Sequence, residues 1–461
     1  MKSINKKFLL FVCVVSALGG LLFGYDWVVI GGAKPFYEVY FGITNLPVMQ
    51  GLCMSAALLG CLLGAMVAGI MADKYGRKPL LIISAILFLV SAIATGLFNE
   101  FMLFCIARFI GGVGIGVASS LSPIYIAEIS PSSIRGKMVS INQLTIVLGI
   151  LGAQIVNWLI ADPVIPGEEI LNTWNGQMGW RWMFWACAVP ASAFLVFTSF
   201  IPESPRWEAA HGKIESAKKT FLSVGGEAYS EEQLKLVEES EKNEKEKDKG
   251  GLAILFSRNY SLVLIIGIVV AVFQQWCGTN VIFNYAQEIF QSAGYHVGDI
   301  LFNIVITGVA NVIFTIVAIF TVDKWGRRSL MLFGAIGLAV IYLILGTCFA
   351  MGVTGFFMVI LVVAAIACYA MSLGPVTWVL LSEIFPNRIR GVAMAVCTFA
   401  LWSACTILTF TFPILNSELG SSGTFWIYSV ICFLGFIFFL IKLPETKGKS
   451  LEELEKKLIK K

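Results

Sequence analysis

The chain has 461 residues, of which 57% are apolar and only 13% charged, with 35 Phe, 12 Trp and a formal net charge of +4. A soluble protein of this length carries far more charge on its surface, so the composition describes a polytopic membrane protein. Two His, and eleven Cys with no Cys-x-x-Cys spacing, argue against a metal site, a disulfide framework or a histidine-based nucleophile.

Lys2, Lys6 and Lys7 precede the first apolar run, which is too long for a signal-peptide core and lacks a small-residue cleavage site. It reads as a retained first helix. Apolar stretches of about 20 residues or more predict spans at roughly 8–32, 48–72, 79–98, 101–127, 137–161 and 180–201. A second six are predicted at roughly 258–290, 297–322, 329–351, 355–384, 389–416 and 422–442. With twelve spans both termini share a side. Lys74, Arg77, Lys78, Arg135, Lys137, Lys324, Arg327, Arg328, Arg388 and Arg390 fill the loops of one face. The opposite loops hold only Lys34 and, at a helix edge, Arg181. The positive-inside rule makes the basic loops and both termini cytoplasmic, and basic residues placed this way imply no nucleic-acid partner.

Between the two sixes lies a polar insertion over 205–255. Ser204-Pro205 is a helix-start signal, Gly212 and Gly225-Gly226 are stops, and Ser230 with Gln233 has the spacing of a capping box. The segment is expected to form cytoplasmic helices. In the tail, Ser450 and Glu453 have cap spacing, and Leu451, Leu454 and Leu458 share one helical face. The expected organisation is a bundle over 1–204, a helical linker over 205–255, a bundle over 256–443 and a C-terminal helix over 444–461.

The two halves repeat. Asp73-Lys-Tyr-Gly-Arg-Lys78 recurs as Asp323-Lys-Trp-Gly-Arg-Arg328, an offset of 250. Glu128-Ile-Ser-Pro-Ser-Ser-Ile-Arg-Gly136 recurs as Glu383-Ile-Phe-Pro-Asn-Arg-Ile-Arg-Gly391, an offset of 255. Pro202-Glu-Ser-Pro205 is answered by Pro444-Glu-Thr446. Three signatures in one order at a nearly constant offset describe a duplicated six-helix unit. Asp73, Arg77, Glu128, Arg135 and Glu203 therefore have counterparts in Asp323, Arg327, Glu383, Arg390 and Glu445, and Arg206 stands beside them without one. All lie at cytoplasmic helix ends, where acids and bases pair with one another and with helix termini, a cytoplasmic gate between the bundles.

Gln274 to Tyr285, within the seventh span, reads Gln-Gln-Trp-Cys-Gly-Thr-Asn-Val-Ile-Phe-Asn-Tyr. Carboxamides at Gln274, Gln275, Asn280 and Asn284 are costly in hydrocarbon unless they face protein, water or a polar ligand. Gly278 between the two pairs lets a helix loosen and a ligand approach the backbone. Such a patch suits an uncharged, hydroxyl-rich solute, or else amides that tie neighbouring helices together. By contrast, Gly111-Gly-Val-Gly-Ile-Gly116 lacks a nucleotide-loop spacing, follows no strand and lies within a span, so it reads as a helix-packing surface.

These residues, with Gly24-Tyr25-Asp26, Arg108, Pro202-Glu-Ser-Pro-Arg-Trp207, Gly374-Pro375-x-x-Trp378 and Pro444-Glu445-Thr446, carry a resemblance over nearly the whole chain. The sequence resembles the sugar porter family of the major facilitator superfamily, most closely its bacterial proton-coupled pentose and hexose members. The resemblance implies an all-α membrane protein of twelve transmembrane helices in two pseudo-symmetric six-helix bundles, with the substrate site near the midplane.

Asp26 and Arg108 are the only charges expected deep within spans. Counted at 1.5 Å per residue, both lie roughly 7–8 Å outside the midplane, a depth at which they can pair. Burial favours the neutral form of a carboxyl and a neighbouring Arg its charged form, so a movable pair can exchange a proton as the bundles rock. In the family that this chain resembles, an Asp at this position accompanies proton coupling. Asp26 is thus expected to carry H⁺, the only coupling ion or cofactor implied, and Arg108 to tune it.

By the same resemblance, Gln143, Gln274, Gln275, Asn280, Asn311, Trp378 and Trp402 match sugar-contacting positions. Carboxamides donate and accept hydrogen bonds, as a sugar's hydroxyls require. Two departures stand out. Asn284-Tyr285 replaces two consecutive Tyr, and Leu401 stands before Trp402 where relatives carry Gln or Asn. The expected activity is symport of a small neutral monosaccharide, leaning toward D-xylose, with H⁺ by alternating access. A monomer in the cytoplasmic (inner) membrane is expected. Passive facilitation, polyol or inositol carriage and sugar sensing are the alternatives, and no nucleophile–base pair suggests an enzyme.

Overall fold

The computed structural model describes residues 4–131, 133–164, 168–245, 255, 257, 260–295, 297–386 and 389–447. The first half comprises α1 (Lys6–Tyr40), α2 (Pro47–Tyr75), α3 (Arg77–Leu97), α4 (Phe101–Ile129), α5 (Arg135–Ile160) and a sixth span of α6 (Trp180–Ala186) and α7 (Ala188–Phe200). Three short helices follow: α8 (Pro205–Ala210), α9 (Ile214–Gly225) and α10 (Glu227–Lys245). In the second half the seventh span is split into α11 (Ser261–Trp276), α12 (Thr279–Asn284) and α13 (Ala286–Ser292). Then come α14 (Val297–Trp325), α15 (Arg327–Ala350), α16 (Phe356–Met371), α17 (Leu373–Ile384) and α18 (Arg390–Lys442). Eleven helical runs are long and apolar enough to cross a membrane. Gly420, at φ 67°, divides the last of them into two, so twelve spans result among the described residues.

Within the first bundle α2 packs on α4, α1 on α5 and α3 on α4; within the second, α15 packs on α18 and α14 on α16. The bundles meet along two seams, α2 with α18 and α5 with α14. The glycines of α4 explain the tightest contact. A methyl added at Gly112 would stand 1.9 Å from the Ala57 carbonyl oxygen, and one at Gly116 2.2 Å from that of Cys61. Backbones this close exclude any side chain, which is the packing role expected of the run.

Local chemistry sets the ends of the short helices. The Ser204 hydroxyl caps α8 by accepting from the Trp207 amide at 3.3 Å, and Gly212 and Gly226 stop α8 and α9 at φ 75° and 78°. The capping box at Ser230 and Gln233 does not form. Helix α10 already begins at Glu227, and the Ser230 hydroxyl instead donates to the Lys218 carbonyl at 3.3 Å, pinning α10 to α9. The expected C-terminal helix lies outside the described residues beyond Lys447, as do the side chains of Asp323 and Arg390.

The first span differs most from expectation. It continues to Tyr40, and Lys34, expected in a loop, is fully buried inside it. Ion pairing makes this possible, as described below. Arg181 is likewise buried. Its guanidinium donates to the Gly96 carbonyl and the Asn99 side chain, both at 2.7 Å, tying span six to the turn between α3 and α4.

Candidate transport site

The seventh span breaks at Gly278. This residue sits in the left-handed region at φ 85° and caps the start of α12, and an added Cβ would lie 2.9 Å from the Tyr428 ring. Both conditions favour glycine. On either side of the break the carboxamides join into a chain. Gln274 Nε2 donates to the Gly374 carbonyl at 3.4 Å, and Gln275 Nε2 to Gln274 Oε1 at 2.9 Å. Asn280 Nδ2 then donates to Gln275 Oε1 and lies 3.8 Å from Cys405 Sγ. Gln274 and Gln275 are buried and Asn280 is half-buried. The chain spans the break from α17 to α18.

Other predicted residues stand around this chain. Trp378 is half-buried on α17, one turn beyond Gly374. Trp402 is buried on α18, one turn before Cys405, and its ring lies 5.9 Å from Trp27 and 5.8 Å from Phe23 of α1. That aromatic contact joins the two bundles beside the amides. Gln143 lies on α5 and Asn311 on α14, two helices that pack on each other. A Cβ at Gly308, one turn from Asn311, would meet Gln154 Oε1 at 1.8 Å. Among the described residues neither Gln143 nor Asn311 hydrogen-bonds to the amide chain. Leu401 is buried and contributes no polar atom.

Asp26 and Arg108 do meet. Arg108 Nη1 donates to Asp26 Oδ1 at 2.6 Å and Nη2 to the Asp26 carbonyl at 3.1 Å, with both side chains almost wholly buried. Among the described residues Asp26 Oδ2 and Arg108 Nε have no hydrogen-bond partner. A small void lined by Trp27, Met54, Cys61, Arg108 and Asn284 lies between Arg108 and the outer half of span seven. Asn284, on the C-terminal turn of α12, is buried with its Oδ1 unpartnered. The adjacent Tyr285 donates its hydroxyl to the Thr409 carbonyl at 2.6 Å and packs on Phe412.

On the face with the basic loops the repeated motifs build the same device twice. Arg77 pairs with Glu128 at 2.9 Å, and Arg327 with Glu383 at 3.0 Å. The Glu203 carboxylate accepts from the Arg77 and Lys78 amides at the start of α3, at 2.9 and 3.1 Å. Glu445 does the same for Arg327 and Arg328 at the start of α15, at 3.0 and 3.1 Å. Each carboxylate occupies the space where Gly76 or Gly326 has no side chain, and both glycines have positive φ. Acids here neutralise the positive end of a helix. Burial pushes the Glu203 carboxyl above its ordinary range, against the backbone N–H donors that pull it down. Burial, and then Arg135 nearby, hold Arg206 below its ordinary value. Asp73, mostly exposed, adds a looser 3.4 Å contact to Arg77. Every one of these pairs lies within a single bundle.

The sequence reading missed one charged cluster at the opposite end of α1. Lys34 Nζ pairs with Glu38 Oε1 at 3.0 Å and with Glu288 of α13, while Gln50 Nε2 donates to Glu38 Oε2 at 3.3 Å. The i, i+4 spacing of Lys34 and Glu38 was a usable signal; the apolar run was cut too early to see it.

The comparisons bear on this geometry. A family model described as "Sugar (and other) transporter" matches residues 12–458. The arabinose-proton symporter of Bacillus subtilis (strain 168) is 38% identical over 460 residues, covering 100% of this chain and 97% of that protein. The D-xylose-proton symporter of Escherichia coli (strain K12) is 36% identical over 484 residues, covering 98% and 96%. The solved inward open conformation of the xylose transporter XylE from E. coli matches with a TM-score of 0.85 at 36% identity, over 98% of this chain and 100% of that one. A duplicated twelve-span fold, an amide-lined break and a sequence match along nearly the full length coincide: the chain is a multi-pass membrane protein belonging to the sugar transporter family of the major facilitator superfamily.

Proposed function

We propose that this protein is a secondary active carrier that moves a neutral monosaccharide together with H⁺ by alternating access between its two bundles. One observation carries the reading. The buried Asp26–Arg108 pair of the first bundle lies across a small void from Asn284 of span seven of the second, which is broken at Gly278 and carries the amide chain. A proton on Asp26 would break the pair and free Arg108 to shift. Rocking of α1 against α12 and α18 would then pass from the proton site to the amide chain through Trp27 and Trp402. Proton-symporter relatives support H⁺ as the coupling ion.

In this reading Gln143, Gln274, Gln275, Asn280, Asn311, Trp378 and Trp402 hold the sugar, with Asn284 and Tyr285 at its outer edge. The relatives named above make a pentose the first substrate to test, and D-xylose or arabinose are the leading candidates. The paired devices around Arg77–Glu128 and Arg327–Glu383, with Arg135, Arg206, Glu203 and Glu445, form the cytoplasmic gate, and both termini lie on that side. A single chain in the inner membrane suffices. In reconstituted vesicles, adding the sugar should alkalinise the donor side. Uptake without proton movement would make the protein a facilitator, and binding without flux would make it a sensor.

A further inference from the structure

We infer that Lys34, Glu38 and Glu288 form an ion-pair latch that holds the two bundles together on the face opposite the basic loops, so that breaking it opens the path from outside. This rests on the transport reading above and adds residues to it. The latch joins two bundles: Lys34 and Glu38 are on α1, and Glu288 is on α13, past the breaks in span seven.

Three observations support the assignment. First, Lys34 is fully buried and Glu38 nearly so, and a buried ammonium is tolerated only while it is paired. Its partners therefore have to stay, and one of them belongs to the other bundle. Second, the same surface is closed by packing. A Cβ at Gly31 would meet the Phe283 and Asn284 carbonyl oxygens at 3.0 Å, and Lys34 Nζ lies 5.0 Å from the Tyr285 ring centre. The inner face presents the reverse arrangement, with every ion pair described there confined to one bundle. Third, Lys34 and Glu288 are 254 residues apart, within the 250–255 offset of the internal repeat. They lie near the same end of the first span of each half. A contact there is broken by any rotation of one bundle away from the other on this face.

The predicted behaviour is direct. In the closed state Cys53 and Cys61 on α2 are completely buried behind the latch, Cys61 lining the void beside Arg108. When the path opens, these thiols become reachable from that side. The test uses the full-length protein in right-side-out vesicles, treated with a membrane-impermeant maleimide and mapped by peptide mass spectrometry. Lys34→Met should raise labelling of Cys61 at least severalfold over wild type. Glu288→Gln, a milder change at a partly exposed position, should act in the same direction. Because the two residues act through one contact, the double variant should label no faster than Lys34→Met alone. Unchanged labelling in Glu288→Gln, or effects of the two changes that multiply independently, would overturn the latch. Wild-type sugar uptake is measured in the same vesicles, so failure of the transport reading appears as absent uptake and failure of the latch as unaltered labelling.

Discussion

Replacing Asp26 with Asn tests the coupling step. The substitution keeps the size of the side chain and one acceptor for Arg108 but removes the titratable charge. Removing one partner of a buried pair costs about 3–5 kcal/mol, because the other charge is left uncompensated. Arg108 cannot shed its proton to escape. The lower end of that range applies here, since Arg108 keeps the Asp26 carbonyl at 3.1 Å and a place 5.5 Å over the Phe184 ring. The folded variant should therefore be recoverable, with a lower unfolding temperature in detergent. The functional consequence is larger. One proton moving down 100 mV supplies about 2.3 kcal/mol. At about 1.4 kcal/mol per tenfold, that sustains roughly a fifty-fold sugar gradient. In energised vesicles the wild type should accumulate sugar on that scale, whereas Asp26→Asn should stop at equal concentrations inside and out. Counterflow, which needs no proton gradient, should persist in the variant within a few-fold. Concentrative uptake by Asp26→Asn would refute the assignment of Asp26 as proton carrier.

Three further outcomes follow from the same geometry. Gly278→Ala places a Cβ in the left-handed region and against Tyr428, at a cost of about 1–2 kcal/mol from the backbone alone; thermal unfolding should show that loss, and an unchanged uptake rate would mean that span seven does not need its break. Gln275→Ala cuts the amide chain between Gln274 and Asn280. A lost hydrogen bond of about 0.5–1.5 kcal/mol predicts roughly two- to twelve-fold weaker binding in a sugar competition assay, with coupling intact. Glu203→Gln tests the helix-end device through pH. Burial raises this carboxyl in the folded state, so the folded protein takes up the proton more readily than the unfolded chain. Wild type should then gain stability on the Gln variant as the pH falls through the raised value toward the ordinary carboxylate range. A difference in unfolding temperature that does not change with pH would count against the shift.

The sequence is most legible where its physics is one-dimensional. Span number follows from apolar length, and the gate motifs from a repeat visible as text. Gly278 as a break and Asp26 with Arg108 as a pair were both readable, the first from a glycine among amides and the second from matched depth. What could not be read needed the third dimension. Lys34 looked like a loop residue because a charge usually ends a hydrophobic run. Pairing with Glu38 one turn on and with Glu288 from the other bundle lets α1 carry that charge inside and run on to Tyr40. Asn284 and Tyr285 read as a joint outer edge of the site, yet their contacts differ. Asn284 lines the void beside Arg108, while Tyr285 ties the end of α12 to α18 with its ring near Lys34. Ser230 failed as a cap because α10 already begins at Glu227, which leaves its hydroxyl inside the helix to donate to the Lys218 carbonyl of α9.

On the proposed function, the two copies of the duplicated helix serve different tasks. The repeat offset of 250–255 maps the position of Asp26 in α1 onto the stretch around Gly278 and Asn280 in span seven. In the first copy that depth holds a charge on an unbroken helix, buried against Arg108. In the second it holds a left-handed glycine followed by amides. A helix that carries the proton has to stay rigid enough to keep a 2.6 Å ion pair, whereas a helix that closes over a sugar has to bend. Either property placed on both copies would work against the other: a break in α1 would loosen the charge pair, and a charge in the amide stretch would replace groups that both donate and accept hydrogen bonds to hydroxyls. At the inner ends both copies keep the same glycine–glutamate device, because both helix starts need the same neutralisation. Symmetry is retained where the two halves do the same work and lost where coupling requires them to differ.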